Sequence, residues 1–208
     1  MSNGLILVGA SGLAREVLAA GIAGVTGIAD DNAALHGTQI SGVPVIGAID
    51  AVAGSEAHLL VCVGPSASRR RVVQRLTAAG VSDDRFATFV ARSARVGRTS
   101  TVAPGSILLD NVTVTADVRI GRHVVVMPNC TVTHDDELDD FVTLAAGVAL
   151  GGTVHVREAA YIGMNAAVRQ GLRIGAGSTV GMGAAVIADV PEGEVWVGVP
   201  ARELGEEA

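Results

Sequence analysis

From Val96 to Val186, every sixth residue is Val, Leu or Ile. Sixteen consecutive blocks obey this rule without an insertion or a slip, from Val96, Val102 and Leu108 through Val132 and Leu138 to Ile174, Val180 and Val186. The fifth residue of each block is mostly small or aliphatic, as in Val112, Val124, Cys130, Val142, Ala160 and Ser178. Glycine often follows the aliphatic, as in Ile120-Gly121 and Ile174-Gly175. Neither the period of an α-helix nor that of a simple strand gives this pattern. A fixed internal repeat decides the fold ahead of local propensity. Six residues form one short side and three sides close a triangular coil, so the spacing predicts a parallel β-helix of about five turns. Each coil buries its aliphatic corners by stacking on its neighbours. The chain has only five aromatic residues, Phe86, Phe89, Phe141, Tyr161 and Trp196, against 27 glycines. A core without aromatic bulk suits thin, repeated layers.

The first half has a different rhythm. Leu5–Val8, Val25–Ala29, Leu59–Val63 and Phe86–Val90 read as strands. Between them, 13–20 and 67–79 have helical composition. Gly9-Ala10-Ser11-Gly12 forms the first strand-to-helix turn, Asp30-Asp31 ends the second strand, and Gly64-Pro65-Ser66 leads into the second helix. Proline favours a helix start, and Gly80 a stop. Strands alternating with helices predict a parallel sheet covered on both faces. The expected division is 1–91 for this α/β domain and 92–208 for the β-helix.

Charge and composition exclude several classes. The net charge is -6, which argues against nucleic acid as the main partner. All fifteen basic residues are arginine, for which base composition of the genome suffices. Cys62 and Cys130 have no metal-type spacing, and a reducing cytoplasm fits them. MSNGLILVGASG lacks a basic n-region, so no signal peptide is expected. No apolar run is long enough for a membrane span.

The segment Thr133-His-Asp-Asp-Glu-Leu-Asp-Asp140 interrupts the apolar array with one histidine and five carboxylates. His134 takes the third place in its block and should project outward. Asp136 takes the fifth place, where other blocks put small or aliphatic residues, and an unpaired buried carboxylate is costly. Breaking a local rule in this way tends to mark a functional site. An imidazole can accept a proton from an attacking amine or hydroxyl, and an adjacent carboxylate can fix its tautomer. Asp135 and Asp136 are both candidates for that partner. A charged loop protruding from the coil is the plainer reading.

The GASG turn, the Asp30-Asp31 pair, the His-acid step in the β-helix and Val197-Gly-Val-Pro-Ala-Arg202 together resemble the sugar acyltransferases of the PglD/NeuD type, in the same order along nearly the whole chain. That resemblance implies a Rossmann-like N-terminal domain that binds a nucleotide-sugar or amino-sugar acceptor, followed by a left-handed β-helix. It implies acetyl-CoA as co-substrate, held in a groove between subunits of a homotrimer. His134 matches the general base, Asp135 its neighbouring acid, and Gly152 a backbone donor to the thioester oxygen. Transfer is then direct, with no acyl-enzyme and no metal. Arg202 is the first candidate to meet a CoA phosphate, followed by Arg169 and Arg173; Trp196 and Met164 are candidates to line the pantetheine path. For the acceptor, Gly9, Ser11 and Gly12 offer backbone N–H groups at a helix start, although the full dinucleotide pattern is absent. Asp30, Asp31 and Gly64 stand at strand ends, where ligands of α/β sheets bind. Arg69 aligns with a basic residue that would face a diphosphate.

Leu13, Pro65-Ser66 and Thr143 depart from residues frequent in that family, which leaves the identity of the sugar open. The leading reading is N-acetylation of a UDP-4-amino-sugar type of acceptor. O-acetylation of a sialic-acid-like sugar and a non-catalytic trimeric nucleotide-sugar scaffold are the alternatives. A zinc hydratase on the same β-helix, like the gamma-type carbonic anhydrases, would need three convergent ligands. His123, His134 and His155 occupy the fourth, third and sixth places of their blocks and do not share a face.

Overall fold

The computed structural model describes residues 4–205. It opens with β1 (Leu5–Val8), α1 (Gly12–Ala19), β2 (Val25–Ala29), β3 (Gln39–Ile40), β4 (Val43–Gly47), β5 (His58–Val61) and α2 (Ser66–Ala78). The sheet order is β3-β4-β2-β1-β5. Only the β3–β4 pair is antiparallel. The β3–β4 hairpin is an addition to the expected strands. Pro44 and the glycines at 42 and 47 hide it, because they weaken the strand signature. Leu13, Ala14 and Val17 of α1 pack in one core, and Val73 and Leu76 of α2 in another, so helices contribute to two separate apolar layers.

From residue 89 onward the backbone is a stack of short parallel rungs. Two-residue strands recur every six residues from Arg95–Val96 to Ala185–Val186. Each rung pairs with the rung one coil away, as in Thr113↔Thr131, Arg119↔Glu137 and Val125↔Thr143. Three parallel sheets result, and they fit a left-handed parallel β-helix. The aliphatic residues that open the blocks fill one continuous core, including Val114, Val132, Leu150, Val168 and Val186. At the fourth place of successive blocks the backbone is left-handed, at Asn111, Asp117, His123, Asn129, Asp135 and Phe141 among others. Asn, Asp and Gly tolerate that conformation and dominate there; His123, Phe141, Thr153 and Ala159 are the exceptions, and the β-branched Thr153 is a costly one.

Phe89–Val90 differs from expectation. It does not extend the N-terminal sheet. It pairs with Ile107–Leu108 and is the first rung of one β-helix face. Its strand pairing with the α/β unit is limited to an isolated bridge, Leu59↔Phe86. A strand of two residues carries too little pattern to reveal which sheet it joins.

The α/β unit rests on that same face. Phe89, Ile107, Leu109 and Val125 of the β-helix share a core with Leu13, Val17 and Leu60. Arg69 of α2 is fully buried in the seam. Its Nε donates to the carbonyl of His123 at 2.7 Å; Nη1 donates to Val63 and Gly64, and Nη2 to Phe141, Val142 and the Thr143 hydroxyl. His123 is sandwiched between Phe86 and Phe141, at centroid distances of 4.7 and 5.3 Å. Among the described residues no helix is long and apolar enough to cross a membrane.

Candidate active site

His134 and Asp135 lie at the corner between the Thr131–Val132 and Glu137–Leu138 rungs. The His134 Nδ1 is 2.8 Å from Asp135 Oδ2, and both side chains are more than half exposed. The left-handed backbone at Asp135 turns its carboxylate back onto the preceding ring. With Nδ1–H donated to Asp135, Nε2 carries the lone pair; this tautomer is assigned from the hydrogen bond. Of the two candidate partners, Asp135 makes this contact and Asp136 does not. Asp136 is fully buried, and its carboxylate accepts the backbone N–H of Thr133 at 2.7 Å and of Val154 at 2.8 Å.

Gly152 is one coil above His134. A Cβ built on it would lie 2.4 Å from both Cε1 and Nε2 of the imidazole. Any side chain there would displace the ring, so the contact itself demands glycine. The carbonyl of His134 accepts the N–H of Thr153 at 2.9 Å, which ties the two turns together. Among the described residues the Gly152 N–H makes no hydrogen bond, leaving a donor beside the imidazole.

The residues expected to hold the acceptor cluster at the carboxyl ends of β1, β2 and β5. Gly9 has φ +102°, and a Cβ there would meet the Cys62 carbonyl at 3.0 Å. The Ser11 hydroxyl caps α1 by accepting from Leu13 N–H and donates to the Cys62 carbonyl. Asp30 accepts from the N–H groups of Ala10 and Asn32. Asp31 accepts from Ile49 N–H and pairs with Arg75, whose guanidinium beside it is the main cause of its lowered pKa. Gly12 begins α1. Arg69 corrects the sequence reading: every N–H direction of its guanidinium is taken by a protein acceptor, so it has none to offer a diphosphate. Burial lowers its pKa to about 9, which still leaves it a cation at neutral pH.

A cavity of about 750 Å³ lies between the α/β unit and the β-helix. Gly64, Pro65 and Ser66 border it on one side and Met127, Tyr161 and Met164 on the other. Ser66 is hydrogen-bonded across the seam to Thr143 at 2.8 Å. The one lining side chain with a formal charge is Glu16, which makes no ion pair or side-chain hydrogen bond among the described residues. Sequence reasoning missed Glu16, because nothing in a single α-helix tells which cavity its exposed face will border. His134 does not line this cavity. Within one chain the dyad and the cavity occupy different corners of the coil. Arg169, Arg173 and Arg202 are exposed. Trp196 pairs its strand with Thr179–Val180 near the end of the coil, and its Nε1–H donates to Glu194. Among the described residues no group of three or more His, Cys, Asp and Glu side chains is arranged to hold a metal ion. His123 is buried between rings, and His155 pairs with Asp139.

No protein-family model matches the chain. Among solved structures it is similar over 98% of its length to a variant of GDP-perosamine N-acetyl transferase from Caulobacter crescentus, altered at one histidine and in complex with CoA and GDP-perosamine. The identity is 28%, the TM-score 0.89, and 98% of that chain is covered. It is likewise similar to the acetyltransferase domain of PglB from Neisseria gonorrhoeae in complex with acetyl coenzyme A, at 29% identity and TM-score 0.88, covering 98% of this chain and all of that one. Among curated proteins it is 34% identical over 108 residues to GDP-perosamine N-acetyltransferase of Escherichia coli, which is 50% of this chain and 49% of that protein. It is 36% identical over 92 residues to a putative acetyltransferase of Schizosaccharomyces pombe, 43% of each. The chain thus spans less than half the length of these curated relatives.

Proposed function

We propose that this protein is an acetyl-CoA-dependent N-acetyltransferase acting on the amino group of a nucleotide-linked amino sugar. The observation that carries this reading is the placement of the Gly152 backbone against the imidazole of a His134–Asp135 pair, on a chain whose likeness to sugar N-acetyltransferases runs its full length. The acceptor amine attacks the thioester carbonyl carbon while His134 Nε2 takes its proton. Asp135 holds Nδ1–H and stabilises the imidazolium that forms. The Gly152 N–H meets the developing oxyanion. The tetrahedral adduct collapses, the C–S bond breaks, and the imidazolium returns its proton to the CoA thiolate. No residue becomes acylated and no metal takes part.

An amine suits the cavity better than a hydroxyl, since its only formally charged lining group, Glu16, attracts a cationic acceptor. Gly9, Ser11, Gly12, Asp30, Asp31 and Gly64 form the edge against which the nucleotide binds in a Rossmann-like domain that ends ahead of the Phe89–Val90 rung. The separation of His134 from the cavity supports a homotrimer in which one copy's dyad closes the cavity of the next. The exposed arginines Arg169, Arg173 and Arg202 then meet the CoA phosphates along the groove. Two free buried thiols suit the cytoplasm.

Thiol release from acetyl-CoA with UDP- and GDP-linked 4-amino sugars tests the reading. Transfer to one of them is expected, with His134→Ala lowering kcat by about 10²–10⁴-fold and leaving CoA binding intact. Transfer only to hydroxyl acceptors would make the enzyme an O-acetyltransferase. CoA binding without transfer to any acceptor would leave a binding scaffold.

A further inference from the structure

Asp136 sits where the β-helix otherwise places Val, Ala, Leu, Cys or Ser. The serines at that place show what the coil ordinarily does with a polar atom there. Ser100 donates to the Thr115 carbonyl at 2.8 Å and accepts the Val118 N–H at 3.0 Å. Ser106 does the same with Gly121 and Val124, at 2.8 and 3.0 Å. Ser100 and Ser106 therefore grip only the coil above, whereas Ser178 donates to the Gly175 carbonyl of its own turn at 2.7 Å. An ionised carboxylate cannot donate. Asp136 keeps the grip on the coil above through Val154 N–H, and adds a second one on its own turn through Thr133 N–H.

That second grip alters the backbone ladder. The residue following each block-opening aliphatic donates its N–H to the coil above, as Thr115 does to Val132 at 3.0 Å, Gly151 to Val168 at 2.9 Å and Arg169 to Val186 at 3.0 Å. Thr133 makes no such bond among the described residues. Its N–H is diverted to Asp136, and the Leu150 carbonyl is met by the Thr133 hydroxyl at 3.0 Å instead. Correspondingly, the Thr131–Val132 rung pairs with the next through one residue, Thr131↔Ala149, where its neighbours pair through two. The break falls immediately before His134 and immediately below Gly152.

We propose that Asp136 is a positioning residue for the transfer reaction: its buried carboxylate, bonded to Thr133 N–H and Val154 N–H, clamps the turn bearing His134 to the turn bearing Gly152 and sets the distance between base and oxyanion donor. This rests on the functional reading above. The two groups act on atoms of one tetrahedral centre, so a shift of either turn separates proton transfer from oxyanion stabilisation. A serine would restore the ordinary rung and close the ladder at Thr133.

The test is Asp136→Ser, a residue this coil already accommodates at 100 and 106. Hydrogen exchange at the Thr133 amide reports the clamp, with Thr115 as internal reference, and needs no activity. Steady-state kinetics report its use. The expected result is altered exchange at Thr133, a fall in kcat of about ten- to a hundred-fold, an unchanged KM for acetyl-CoA and a Tm no lower than that of the parent. Unchanged kcat with altered exchange would overturn the proposal, since the carboxylate would then serve the fold alone. Unchanged exchange would overturn the clamp itself. A parent protein that transfers acetyl to no acceptor would overturn the functional reading, and the role of Asp136 with it.

Discussion

Three neighbouring residues in the acidic cluster have three separate physical roles. His134 projects from the coil, Asp135 folds back onto its Nδ1, and Asp136 points into the core. Gly152 is fixed by contact and not by backbone conformation, because it is the imidazole that a Cβ would strike. Gly152→Ala is therefore expected to displace His134 and lower kcat by about 10²-fold, with little loss of stability. Kinetics paired with a thermal melt check this; a large fall in Tm with normal kcat per folded enzyme would contradict it. The sequence marked His134 through its place in the repeat, Asp135 through its adjacency to that histidine, and Gly152 through resemblance alone. It left the choice between Asp135 and Asp136 open, since the difference lies in which way each side chain leaves a left-handed corner.

At the scale of elements, one fully buried side chain of α2 anchors it to the β-helix, alongside the Ser66–Thr143 hydrogen bond and the exposed Arg70–Glu158 pair. Arg69 bridges carbonyls of its own helix approach to those of the turns at His123, Phe141 and Val142. Those turns are the ones with aromatic residues in left-handed conformation, and their rings close the same seam. Arg69→Met would leave these acceptors buried and unpaired, for an expected loss of about 3–5 kcal/mol. Urea denaturation checks the magnitude, and proteolysis within α2 shows whether the helix undocks first. A mere surface arginine would cost under about 0.5 kcal/mol. From sequence, Arg69 was one of three consecutive arginines in a helix. Only the docking of α2 against the coil selects it for burial.

At the scale of the whole molecule, two buried titratable groups oppose each other in acid. Burial lowers the His123 pKa to about 4 from 6.5, assisted by Arg122 and Arg69 and opposed by Asp83. Among the described residues its ring nitrogens have no hydrogen-bond partner. Below pH 6.5 the unfolded chain takes up a proton that the folded one refuses, so this group removes stability as pH falls toward 4. Asp136 has the reverse sign. Burial raises its pKa to about 6 from 3.8 against two N–H donors, so the folded state binds the proton first and gains stability between pH 6 and 4. The two effects are each about 3 kcal/mol in full and largely cancel. His123→Phe, which keeps the aromatic stack, is expected to lose about 2 kcal/mol less than the parent between pH 7 and 5. Urea titrations at the two pH values measure this, and equal losses in both proteins would show that His123 is not the acid-sensitive group.

The sequence by itself determined the β-helix, because a six-residue period is a local rule that every coil repeats and every rung can satisfy with its neighbour. It also fixed β1, α1, β2 and α2 to within a residue or two, since they end at turn-forming residues, Gly9, Gly21, Asp30-Asp31 and Gly80. What only the tertiary structure decided is everything that depends on two distant segments meeting. Phe89–Val90 joins the coil stack because its partner lies at Ile107–Leu108. Arg69 turns inward because the coil offers carbonyls there, and Glu16 borders a cavity that no single element contains. Asp136 works as an acceptor for two turns that only coil stacking brings within reach of one carboxylate. Periodicity specifies which faces are apolar. It does not specify which polar groups will be left facing one another once those faces are buried.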